Sequence, residues 1–150
     1  MILKNNLIEK MKNEIKQKTK RDARPQTELK NEAKNSIKNL NIPFQTIDWK
    51  GIQKTEHIGE TGVAYWQTIQ FEGLRIRYVE YSKNYKANHW CKKGHIVYCL
   101  KGEVTNELEN GEQSVLLEGM SYIVSDDLSS HRSVTKNGVH LLIIDGDFLK

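Results

Sequence analysis

The chain has 150 residues, a formal net charge of +4, 37% hydrophobic and 28% charged residues, which is material for one domain rather than two. No apolar run approaches the roughly 20 residues that cross a bilayer, and two cysteines make no disulfide framework. The first ten residues lack the apolar stretch and small-residue cleavage site of a secretory signal, so a reducing, cytoplasmic setting is expected.

The charge is unevenly placed. Residues 1–40 carry 11 Lys+Arg against 5 Asp+Glu, a net of +6, whereas residues 41–150 carry 12 against 14, a net of −2. The basicity belongs to an N-terminal arm, residues 1–41, followed by a slightly acidic domain, residues 42–150. Leu3, Leu7, Ile8, Met11 and Ile15 fall at helical spacing. From Lys16 to Lys34 apolar residues nearly vanish and Pro25 intervenes, so the arm is expected to be helical or disordered. It has no aromatic residue before Phe44 on which a base would stack. The acidic domain lacks the electrostatic footprint of a nucleic-acid binder. Neither nucleic acid nor membrane is expected as a partner; a basic arm touching RNA, membrane or a partner subunit is the sharper alternative to a plain tail.

After Pro43 the pattern is that of strands. Val63–Phe71 is rich in β-branched and aromatic residues, and Glu72-Gly73 reads as a turn. Leu74–Tyr81 alternates with period two. Ile96–Leu100 and Glu103–Leu108 follow as two strands. Asn110-Gly111 then signals a hairpin in which both turn residues tolerate positive φ. Ser114–Leu117, Ser121–Val124 and Val139–Ile144 complete the set, with Asn137-Gly138 before the last. Many short strands with turn signals roughly every 8 to 12 residues predict an all-β barrel or sandwich.

The chemistry concentrates in Asn88-His89-Trp90-Cys91-Lys92-Lys93-Gly94-His95. On a strand, residues i and i+2 share a face, so His89 and Cys91 project together and Trp90 points away. A tight Lys-Lys-Gly turn returns His95 beside them, and His131 supplies a fourth donor from a distant strand. Imidazole and thiolate suit zinc, iron, nickel or copper better than magnesium or calcium. Other readings stay open at each position. The alternatives are His89 and His131 as structural histidines, Cys91 as a packed or reactive thiol, and His95 as a hydrogen-bonded neighbour. Cys99 shares a face with His95 and Val97 and reads as core, with a Cys91–Cys99 redox pair as the alternative. His57 and His140 carry no assigned role.

This segment resembles the first motif of the cupins: His-x-His, a spacer, Glu, six residues and Gly. Here those places hold His89, Cys91, His95 and Gly102. The run Gly119-Met120-Ser121-Tyr122-Ile123-Val124, ending at His131, resembles the second motif. More narrowly, residues 42–145 resemble the small bacterial DHCW-motif cupins, with Asn88 at the Asp of that name. Asp126 and Leu128 replace the usual Pro and Gly before the last His, and the loop there has one extra residue. The resemblance implies a cupin-type double-stranded β-helix, a jelly-roll barrel. It also implies a divalent transition metal (zinc, iron, nickel or manganese) on His89, Cys91, His95 and His131, and pairing of two copies through an outer sheet face.

The expected function is binding or transforming a small polar molecule at this His/Cys centre; no nucleophile or acid–base pair is legible. The alternative is a non-catalytic sensor with a structural metal or none. Tyr98, Tyr122 and Arg77 are the candidate contacts for the small molecule. An inward arginine face (Arg75, Arg77) would favour an anion. Burial alone favours the opposite orientation, with Leu74, Ile76 and Tyr78 inside.

Overall fold

The computed structural model describes residues 40–150, so the helical or disordered arm lies outside the described residues. Nine strands follow in chain order: β1 Lys54–Ile58, β2 Val63–Phe71, β3 Leu74–Tyr81, β4 Tyr85–Lys86, β5 His95–Leu108, β6 Gln113–Leu117, β7 Ser121–Val124, β8 His131–Thr135 and β9 Val139–Gly146. They pair antiparallel in the order β1-β2-β3-β9-β5-β8-β4, and β6 and β7 also pair with β5. No helix among the described residues is long and apolar enough to cross a membrane.

β5 organises the barrel. The two strands expected over 96–100 and 103–108 are one strand of 14 residues. Its first half pairs with β7 and β9, its second half with β6 and β8. The register slips between Cys99 and Lys101, and Gly102 sits at φ 86° with the place of its absent Cβ 2.8 Å from the Gly138 carbonyl oxygen. An irregularity with a glycine lets one strand turn a barrel corner and serve two sheets. The expected hairpin at Asn110-Gly111 forms by a different turn. Only Gly111 takes positive φ, and its N–H donates to the Leu108 carbonyl at 2.9 Å while Leu108 N–H donates to Glu112 O. That is a type I turn closed by a left-handed glycine.

β1, β4 and β8 are the strands that composition does not announce. β1, Lys-Thr-Glu-His-Ile, is a polar, largely exposed edge, and β4 has two residues. β1 is a polar edge, β4 is too short to alternate, and β8 buries only its two ends, His131 and Thr135, so none of them carries a period-two pattern to register.

Inside, Val79, Val97, Cys99, Val104, Leu116, Val139, Leu141 and Ile143 form the core, with Trp66, Tyr81 and Tyr122 packed against it. Cys99 is fully buried there, as its strand face predicted. β9 buries every second residue, and the row Val139-Leu141-Ile143 continues into Asp145. Against the burial argument, β3 turns Arg77 and Val79 inward. The physical reason is that inward Asp145 meets the arginines: Arg77 Nη2 donates to Asp145 Oδ2 at 2.6 Å and Arg75 Nε to Oδ1 at 2.9 Å. A paired and hydrogen-bonded guanidinium tolerates an interior that an isolated one does not.

Candidate metal centre

Three segments converge at one end of the barrel interior. Cys91 and His131 face each other as an isolated antiparallel bridge, Cys91 N–H donating to His131 O at 2.7 Å and His131 N–H to Cys91 O at 3.0 Å. The Lys92-Lys93-Gly94 turn then brings back His95, the first residue of β5. Asp126 clamps that turn, accepting from Gly94 N–H at 2.6 Å and from Lys93 Nζ at 3.0 Å. These two contacts hold the Asp126 carboxyl below its ordinary range. Asp127 N–H donates to Lys92 O at 2.8 Å from a residue at φ 61°. A Cβ on Gly94 would lie 2.7 Å from Asp126 N, so the turn closes only on glycine. The non-standard Asp126 loop therefore grips the ligand turn, and His131 ends up buried at 6% exposure.

The donor atoms of Cys91, His95 and His131 all lie within 4.8 Å of one another. Cys91 Sγ is 3.2 Å from His95 Nε2, and the two imidazoles stand edge to face with centroids 5.3 Å apart. His131 Nδ1 is 2.8 Å from Ser129 O, a contact made by an Nδ1–H, which leaves Nε2 with the lone pair. Burial, with the charges of Arg77 and then His131 behind it, holds the His95 pKa down to about 4, against the lesser opposing pull of Asp145. His95 is therefore neutral near pH 7 and its nitrogen is free to bind a cation. Two imidazoles and one thiol are a soft-to-borderline set that fits zinc, iron, nickel or copper; manganese, with its preference for oxygen donors, fits poorly.

A cavity of about 80 Å³ opens beside these donors, bordered also by Trp66, Arg77, Tyr81, Tyr85, His89, Tyr122 and Arg132. His89 thus shares the cavity with Cys91, yet it is not in the donor cluster. Residues 87–90 bend instead of running as a strand, so the alternation that would align His89 with Cys91 does not operate. Its ring is exposed, and Nδ1 lies 2.7 Å from Asn88 Oδ1, while Asn88 Nδ2 ties down the end of β1 through Ile58 O. Trp90 packs under Arg132, whose guanidinium lies 4.5 Å from the ring centroid.

Of the expected small-molecule contacts, Arg77 and Tyr122 border the cavity and burial pushes the Tyr122 hydroxyl pKa up. Tyr98 lies elsewhere. It alternates with buried Val97 and Cys99, so it faces outward at 40% exposure. Asp145, Trp66 and Tyr81 were missed by sequence reasoning. A period-two row ending in a carboxylate was the available signal for Asp145. His57, given no role, stacks on Trp66 with centroids 3.8 Å apart.

No family model matches the chain, and no curated protein does. Solved structures do. The chain is similar to an RmlC-like cupin from Shewanella frigidimarina at 21% identity over 69% of this chain and 91% of that one, with a TM-score of 0.57. It is similar to ectoine synthase from P. lautus at 15% identity over 69% and 78%, TM-score 0.57. A predicted oxalate decarboxylase from Thermotoga maritima matches at 14% identity over 68% and 99%, TM-score 0.58. These likenesses, with the curled antiparallel sheet, establish the cupin fold. At such identities they carry the fold and not the chemistry.

Proposed function

We propose that this chain is a small metal-binding cupin of the DHCW-motif kind, holding one divalent transition metal on Cys91, His95 and His131 and taking a small polar molecule in the adjoining cavity. The observation that carries this is the convergence of one thiol and two imidazole donors within 4.8 Å beside open space. Three protein donors facing a cavity leave coordination positions for water or ligand, the arrangement of reactive rather than structural sites. A metal bound there would act as a Lewis acid on a ligand oxygen. The chain's own part is to keep His95 neutral, orient His131 through Ser129 and wall the cavity with Tyr81, Tyr85 and Tyr122.

His89 supports a second reading. It borders the same cavity and is exposed, so a turn away from Asn88 would make it a fourth ligand and close the site as a structural or sensing centre. Metal analysis of protein purified without tag or added metal, followed by X-ray absorption, separates these. About one metal per chain with three protein ligands supports the reactive site, four protein ligands support the closed one, and absence of stoichiometric metal rejects both.

The same proposal includes pairing of two copies. Its support is a cross-strand row on the outer face, Ile69-Ile76-Ile144-Ile96-Ile123, in which each residue is directly opposite the next across β2, β3, β9, β5 and β7. Such an uncharged row suits a copy of itself better than a charged partner.

A further inference from the structure

We propose that the cavity recognises its small molecule by a carboxylate, received by Arg77, Trp66 and His95. This rests on the metal reading only for the second anchor of the ligand. Three buried nitrogens on residues that line this one cavity make no hydrogen bond: Arg77 Nε, Trp66 Nε1 and His95 Nδ1, the last with Asp145 Oδ2 no nearer than 3.9 Å. His95 Nε2 faces Cys91 Sγ, so Nδ1 is the nitrogen left to carry the proton. Buried donors without acceptors are expensive. Three around one space call for an acceptor-only group.

Charge gives the same answer. Arg75 and Arg77 share the single carboxylate of Asp145, leaving one positive charge unmatched beside the cavity. Arg132, also on the wall, differs: Glu107 lies 2.6 Å from it and Glu60 3.6 Å. The surplus therefore belongs to the Arg75–Arg77 pair, and Arg77 is its buried member, with a side chain 6% exposed. Arg77 also lies 4.7 Å above the Trp66 ring, which fixes its plane. The space of about 80 Å³ has room for only a few water-sized groups, so the ligand is a small acid of a handful of non-hydrogen atoms.

The test is calorimetric titration of glycolate, with inorganic phosphate and methylammonium as comparisons, into the zinc-loaded and the metal-free full chain, with zinc content measured throughout. Arg77→Gln, Arg77→Lys and Arg75→Gln are compared with wild type. Expected are glycolate binding in preference to phosphate and methylammonium, a loss of at least tenfold in Arg77→Gln with zinc content unchanged, and a smaller loss in Arg75→Gln, which cancels the surplus charge from a more exposed position. If Arg77→Gln does not fold, Arg77→Lys and Arg75→Gln carry the comparison. Equal glycolate affinity in all variants, or phosphate or methylammonium binding as tightly as glycolate, overturns the inference and leaves the metal reading standing. Failure of the wild type to hold zinc overturns the metal reading instead, and Arg77-dependent glycolate binding by the metal-free chain still upholds the inference.

Discussion

Cys91, His95 and His131 are unequal members of their cluster. His131 is oriented by Ser129 and fixed in a bridge to Cys91, whereas His95 owes its neutrality to burial. Removing any one donor takes away a third of the protein's share of the coordination sphere. Cys91→Ser and His131→Ala are each expected to lower zinc affinity by more than about 100-fold, the far end of what outer contacts alone contribute, as read by competition with a chelating dye. His89→Ala, if three ligands suffice, leaves affinity within about tenfold. His95 also sets a pH dependence for the metal-free protein. Its pKa is lowered from 6.5 unfolded to about 4 folded, so between those values the unfolded chain binds more protons. The contribution is whole above pH 6.5 and is lost as pH falls toward 4, on the order of 3 kcal/mol at most for this buried ring. Urea midpoints measured from pH 7 to pH 4 check it: they should fall, and His95→Gln should flatten the fall.

At the scale of elements, β5 turns its corner at Gly102. Alanine there meets both positive φ and the Gly138 carbonyl oxygen at 2.8 Å. Gly102→Ala is expected to cost about 1 to 3 kcal/mol, seen as a lower urea midpoint with an unchanged slope. The elements also mark how far the sequence was legible. Strands with a buried face, such as β3 and β9, announce themselves because alternation records burial. β1 has almost no buried face, and β4, with Tyr85 buried, is only two residues long, so neither leaves a record. His95 was readable as a site residue because a tight Lys-Lys-Gly turn returns it beside Cys91, and His131 because it ends the segment that resembles the second cupin motif. The placement of His89 was not, since the bend at 87–90 follows from the Asn88 tether to β1, a contact 30 residues distant in sequence. The inward arginines were misjudged for a similar reason: their orientation depends on Asp145, about 70 residues away. No local pattern shows a partner at that range.

For the whole molecule, the isoleucine row is the face on which pairing is argued. Ile123 is its most exposed member, at 69%. Ile123→Lys should leave the barrel folded, because the side chain already faces solvent, and shift sedimentation from dimer to monomer. A wild type that sediments as a monomer at all concentrations rejects the pairing.

The strand order carries one more consequence. Arg77 rides on β3, while the donor cluster sits on the starts of β5 and β8 and on the segment just before β5, and β9 lies between the two groups. The β1–β3 flap is joined to the rest along the β3–β9 seam, with the Thr61–Lys86 bridge as a further tie. A molecule gripping Arg77 at one end and the metal at the other would rivet that seam shut. Amide hydrogens of Arg77, Val79 and Leu141 should then exchange more slowly when zinc and glycolate are both present than with zinc alone.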